Sequence, residues 1–234
     1  MSSSSARASE HRFYWWAAVA STLIVFPGFS RTFYLGALFD APPLAWLLQL
    51  HGAIMTAWLA LFLVQLRLVA AGRTDLHRKL GVAGGTLVAL MVPVSVATAI
   101  DAGRRGVTPD PAVTPLMFMA IPIVTIAVFA TLVGVALWNR RRSAVHKRLM
   151  LLATVSILTP AIARIPVIED GGLPVFVGLT VLAVLLCIGV DTWRNRRLHP
   201  ALGWGGAFVI VSEPFRLWLA GTDAWARFGT WLMS

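Results

Sequence analysis

"LAWLLQLHGAIMTAWLALFLVQL", residues 44 to 66, decides the fold. It is apolar nearly throughout. As a helix rising about 1.5 Å per residue it crosses a hydrocarbon core of about 30 Å. A membrane β-barrel strand would alternate apolar and polar side chains, and this run does not. In lipid every backbone N–H and C=O must be paired within the segment, so the run is predicted to be a transmembrane helix.

Working outward, six similar runs occur at 13 to 30, 80 to 100, 115 to 138, 149 to 168, 174 to 190 and 202 to 220. The composition agrees, with 58% hydrophobic and 13% charged residues where a soluble domain carries roughly a quarter charged. The expectation is an all-α fold, a polytopic transmembrane bundle of about seven helices. Residues 1 to 12, polar and Ser-rich, are read as a disordered cytoplasmic N-terminus, 13 to 220 as a single bundle, and 221 to 234 as a periplasmic or interfacial C-terminal segment. The first run has no small-residue cleavage motif at its far end and reads as a retained helix rather than a signal peptide. Cys187, the only cysteine, falls inside an apolar run and reads as a small hydrophobe.

The net charge of +10 would suggest nucleic acid in a soluble chain. Its placement says otherwise. With the N-terminus inside, the inner segments hold Arg7, Arg12, Arg67, Arg73, Arg78, Lys79, Arg140, Arg141, Arg142, Lys147, Arg148, Arg194, Arg196 and Arg197. The outer ones hold only Arg31, Arg104, Arg105 and Arg227. That asymmetry predicts a multi-pass protein of a bacterial inner membrane, N-terminus cytoplasmic and C-terminus periplasmic. Asp40, Asp101, Asp110, Glu169, Asp170 and Asp223 fall outside. The basic clusters are orientation signals and contacts to the lipid bilayer, and no nucleic acid is expected. Tryptophans near the predicted boundaries, Trp46, Trp138, Trp193, Trp204, Trp225 and Trp231, fit interfacial belts.

Three of the five histidines sit in one local pattern: "LHRKLG" (76–81), "VHKRLM" (145–150) and "LHPALG" (198–203). With His11, they mark the cytoplasmic start of alternate helices. Interfacial anchoring explains them simply. A sharper reading starts from the helix macrodipole, which disfavours a protonated imidazole at an N-terminus and so favours the neutral, metal-binding form. His77 and His146 would then be the axial pair of a b-type haem with His199 nearby, and a zinc ion on all three is the other metal reading. Gly81 with Gly85, and Gly203 with Gly205 and Gly206, would let helices approach closely at this depth.

A second group lies in the outer half. His51, Met55, Trp58, Phe62 and Gln65 share one helical stripe. Arg164, Glu213 and Arg216 are charged residues inside spans, where each costs at least about 2.5 kcal/mol and calls for a partner. Helical rise places His51 and these three in one layer, about 8–13 Å below the outer surface. Glu213 and Arg216, three apart, can pair. Arg164 is left without an evident partner, which invites an anion or a quinone oxygen.

From "HGAIMTAW" through Gln65 into "LHRKLG", then "VHKRLMLLAT" with "PAIARIP" and "SEPFRLW", most of the chain resembles a group of bacterial polytopic membrane proteins. More distantly it resembles transmembrane b-type cytochromes and ferric reductases. The first resemblance implies a single helical bundle, the second a haem held by histidines. It departs from the two-haem pattern because His51 has no second histidine at its own level. Three functions fit. One is a haem or redox-linked membrane protein with a quinone or small-ligand site at His51, Gln65, Arg164, Glu213 and Arg216. Another is a proton-coupled transporter or ligand binder, and the third is a non-catalytic partner or assembly factor for another membrane protein. No GxSxG, P-loop, Rossmann glycine pattern or HExxH occurs, so hydrolase and kinase chemistry have nothing to rest on.

Overall fold

The computed structural model describes residues 3–108 and 113–234, with side chains from Glu10 onward. Asp110 lies outside them. The described residues are helical without strands, and six helical segments are long and apolar enough to cross a membrane: 10–34, 46–70, 74–104, 115–138, 143–162 and 169–195. The chain divides into two compact units, the first of residues 1–91 and 158–176, the second of 92–157 and 177–234.

In the first unit, α1 spans Ser3–Phe29. It is helical through the polar stretch expected to be disordered, where Ala6, Arg7, Ala8 and Glu10 are good helix formers. His11 therefore lies well inside α1 instead of at its start. Pro27 removes one backbone donor near the end, and the helix widens into a π-turn, Ser30–Tyr34. There Ser30 Oγ donates to the Pro27 carbonyl at 2.8 Å. Tyr34 and Thr56 join their hydroxyls at 2.9 Å, fixing that turn to α2 (Trp46–Ala70). The predicted stripe of α2 is its inner face: Trp58 and Phe62 are buried, with Leu59 beside them. A 3-10 turn, Gly36–Phe39, and the first part of α3 (Thr74–Arg104) complete this sequence stretch.

The expected fifth span is broken. Its first part, α5 (Ser143–Ser156), belongs to the second unit, and its continuation, α6 (Thr159–Ile162), belongs to the first. Pro160 has no N–H to give the Ser156 carbonyl, and Ser156 Oγ turns back to the Ala153 carbonyl at 2.8 Å. Gly28 is what lets α1 meet α6: a Cβ there would run into the Ala161 carbonyl.

In the second unit α4 (Pro115–Trp138) is the buried centre, with Met119, Ala120, Phe129, Leu132, Val133 and Ala136 all inside. Thr114 caps its start by accepting from Met117 N–H, and Pro115 takes the first turn, where no donor is needed. Against it pack α5, α8 (Pro200–Ala220) and α9 (Asp223–Met233), and most of α7 (Gly172–Asn195) belongs to the same unit. The predicted seventh span is a 21-residue helix, but its glycines, Pro214, Glu213 and Arg216 keep it out of the apolar six.

The terminal segment is a helix in its own right. Thr222 caps α9, and Trp225 Nε1 donates to the Leu116 carbonyl at 2.8 Å. Arg104 Nε closes the far end on the Met233 carbonyl at 2.9 Å. Trp225 is thus a buried packing residue, not part of an interfacial belt.

Candidate functional site

Two glycines set the position of α8. A Cβ at Gly205 would come within 2.8 Å of Leu152 on α5, and one at Gly206 within 2.5 Å of Ile188 on α7. The close approach predicted for the Gly203–Gly206 stretch occurs at these two positions. At Gly81 and Gly85 nothing lies within 4 Å, and in that stretch it is Gly84 that meets a neighbour, Leu61. Pressed against α5 and α7 in this way, α8 carries its polar turn into the unit, leaving Ser212, Glu213 and Arg216 at most 5% exposed.

Within that turn, Arg216 Nη2 donates to Glu213 Oε1 at 2.7 Å, the pairing predicted from their spacing. Its Nη1 donates to Thr125 Oγ1 on α4 at 2.8 Å, and Nε to the Ser212 carbonyl at 3.3 Å. Both hydroxyls nearby are committed: Thr125 donates to the Ile121 carbonyl and Ser212 to the Val209 carbonyl. Glu213 Oε2 is buried with no hydrogen-bond partner. An unmade bond on a buried acceptor costs about 1–3 kcal/mol, more when the group is charged. Pro214, next in sequence, cannot donate to the Ile210 carbonyl one turn back, adding a second acceptor without its helical donor.

A second buried ion pair was not foreseen. Arg148, assigned from sequence to an inner loop, lies inside α5 and is 4% exposed. Asp191, at the end of the sixth apolar run, is 2% exposed. Arg148 Nε and Nη2 both donate to Asp191 Oδ2, at 3.0 and 2.9 Å, and Nη1 donates to the Ala144 carbonyl at 2.8 Å. The signal available was a charged residue beyond each apolar boundary, at the end where boundary placement is least certain.

The histidines have local tasks. His146 joins Nδ1 to the Ala136 carbonyl at 2.8 Å, tying α5 to the last turn of α4. His199 caps α8, its Nδ1 accepting from Ala201 N–H at 3.1 Å. Accepting requires an unprotonated Nδ1, and burial together with the Arg148 charge holds this imidazole below the usual histidine range. His77 stands in the first turn of α3, its backbone carbonyl accepting from Gln65 Nε2 at 3.2 Å, while Gln65 Oε1 is buried without a partner. His77 belongs to the first unit, His146 and His199 to the second. Among the described residues no group of three or more His, Cys, Asp or Glu is arranged to hold a metal ion.

The predicted outer layer is likewise distributed, with His51 and Arg164 in the first unit and Glu213 and Arg216 in the second, and Gln65, the other proposed ligand residue, also lies in the first. Arg164 is not partnerless. Its Nη1 donates to the Pro160 carbonyl at 2.7 Å, and its guanidinium stands 5.1 Å from the Phe29 ring centroid. Because α6 ends after one turn, that carbonyl is an unclaimed helix C-terminal acceptor, which a nearby arginine satisfies.

No protein-family model, curated protein or solved structure matches the chain.

Proposed function

We propose that the protein is a multi-pass membrane protein that moves a small anionic solute together with a proton, Glu213 carrying the proton and Arg216 receiving the anion. One observation carries the reading: Glu213 Oε2 is buried without a partner while its other oxygen is held by Arg216. A glutamate and an arginine in contact neutralise each other. A proton added at Oε2 makes the pair net positive in a low-dielectric surround, and an anion then completes the neutralisation. The same argument disfavours a metal cation, since the Arg216 guanidinium lies 2.7 Å from the carboxylate and the neighbouring hydroxyls are already engaged. The charge asymmetry supports a plasma-membrane location with the N-terminus cytoplasmic.

The test uses vesicles containing the purified protein and a lumenal pH dye, with inorganic phosphate, sulfate and succinate offered outside in turn. At least one anion should acidify the lumen in step with its uptake, and Glu213→Gln should reduce both to the level of protein-free vesicles. Equal acidification by Glu213→Gln would sink the reading.

A second reading, a b-type haem with His146 as one axial ligand, is favoured by the bond from His146 Nδ1 to the Ala136 carbonyl. Metal-ligating histidines are commonly oriented through a backbone carbonyl in this way. It predicts a Soret band in protein purified from haem-replete cells, lost in His146→Ala. A colourless preparation rejects it.

A further inference from the structure

At one end of the second unit the chain brings together the last turn of α4, the first of α5, the last of α7 and the first of α8. Three contacts fix this convergence: His146 on the Ala136 carbonyl, Arg148 on Asp191, and Gly205 against Leu149 and Leu152. Five arginines emerge there, Arg140, Arg141 and Arg142 between α4 and α5, Arg196 and Arg197 between α7 and α8, all exposed. Residues 134–150 and 188–207 contain a single carboxylate, Asp191. That carboxylate is buried and already matched by Arg148, so the five charges have no counter-ion on their own surface. The turn that closes α7 has Arg196 in the left-handed region, φ 55, where glycine or asparagine is usual. The chain keeps an arginine there despite the backbone cost.

Around these charges stand three tryptophans, Trp138, Trp193 and Trp204, which are 89%, 69% and 81% exposed. Exposed indoles at one level on apolar helices mark the depth of lipid headgroups. Guanidinium forks match phosphate oxygens in pairs. We propose that this end of the second unit is a binding site for an anionic phospholipid, the five arginines holding its phosphate headgroup and the tryptophans bordering its glycerol and upper acyl region.

The site is separate from Glu213 and its failure would leave the transport reading untouched. The experiment is native mass spectrometry of the full chain released from vesicles of phosphatidylcholine mixed with phosphatidylglycerol. Wild type should retain phosphatidylglycerol in preference to phosphatidylcholine, and Glu213→Gln should retain the same preference. Neutralising the arginines to glutamine one at a time should weaken phosphatidylglycerol binding about fivefold each, the equivalent of ~1 kcal/mol per charge. Because losing positive charge can also disturb insertion, the five are replaced together by lysine as well. That variant keeps the charge and orientation but loses the paired fork, and it should bind more weakly than wild type while inserting normally. Retained lipid that mirrors the vesicle mixture, or a preference unchanged in the glutamine variants, overturns the proposal. So does nucleic acid displacing phosphatidylglycerol from the same arginines.

Discussion

Among the described residues the second unit contains two buried arginine–carboxylate pairs, and they are built differently. Arg148 and Asp191 stand 43 residues apart and join α5 to α7. Arg148 places two N–H groups on one carboxylate oxygen and a third on its own helix. Arg216 and Glu213 lie on the same helix, so their ion pair joins no two elements. The link to α4 is made by Thr125, and one carboxylate oxygen is left over. The first arrangement is a clamp. In the second, a charged pair is kept inside an apolar unit without completing it, which is why a transferable proton is assigned there and not to Asp191.

The largest expected effect comes from halving the clamp. Arg148→Ala leaves a buried aspartate without its cation and should cost about 3–5 kcal/mol in denaturant unfolding of the detergent-solubilised protein. Replacing both partners by leucine should recover most of that loss. Asp191→Asn should lower the thermal midpoint more than Glu213→Gln, because only the former loosens an inter-helix bond. Equal losses would erase the distinction between clamp and carrier. A moderate effect is expected from Gly205→Ala, whose Cβ meets flexible ends of Leu149 and Leu152 and should cost about 1–3 kcal/mol by overpacking. Under the proposed transport function, anion uptake should fall in step with the displacement of α8.

The smallest effect concerns the cap of α8. Since the folded state disfavours protonated His199, the unfolded chain binds more protons as pH falls below the ordinary histidine value of about 6.5. Stability contributed by this group is present above that value and declines as pH drops through the lower, folded pKa. His199→Asn keeps an N-cap acceptor and should flatten the unfolding midpoint between pH 7 and 5 while leaving its value at pH 7 nearly unchanged.

The helical class was legible because runs such as 44 to 66 admit no other structure in lipid, and the stripe from His51 to Gln65 did mark the inner face of α2 through Trp58 and Phe62. The pairing of Glu213 with Arg216 was legible because it is local. Arg148 with Asp191 was not, since nothing in either neighbourhood points to the other across 43 residues. Pro160 could have announced the break after Ser156, but a proline inside an apolar run marks a kink or a stop equally well, and the outcome depended on α1 receiving α6 at Gly28. The helix α9 carried a local signal, Thr222 ahead of Asp223 as a cap. At 11 residues it is too short to register as a span. The partner of Arg164 was not legible because it is a backbone carbonyl, which carries no charge and leaves no mark in the sequence.

The separation of Arg148 from Asp191 also has a meaning in time. At about 5–20 residues per second of synthesis, α5 exists for about two to nine seconds before its aspartate is made. During that interval the guanidinium is one more positive charge close in sequence to Arg140, Arg141, Arg142 and Lys147, still without its carboxylate. Only when α7 has been made can the same side chain be locked onto Asp191, so the clamp closes after both of its helices exist.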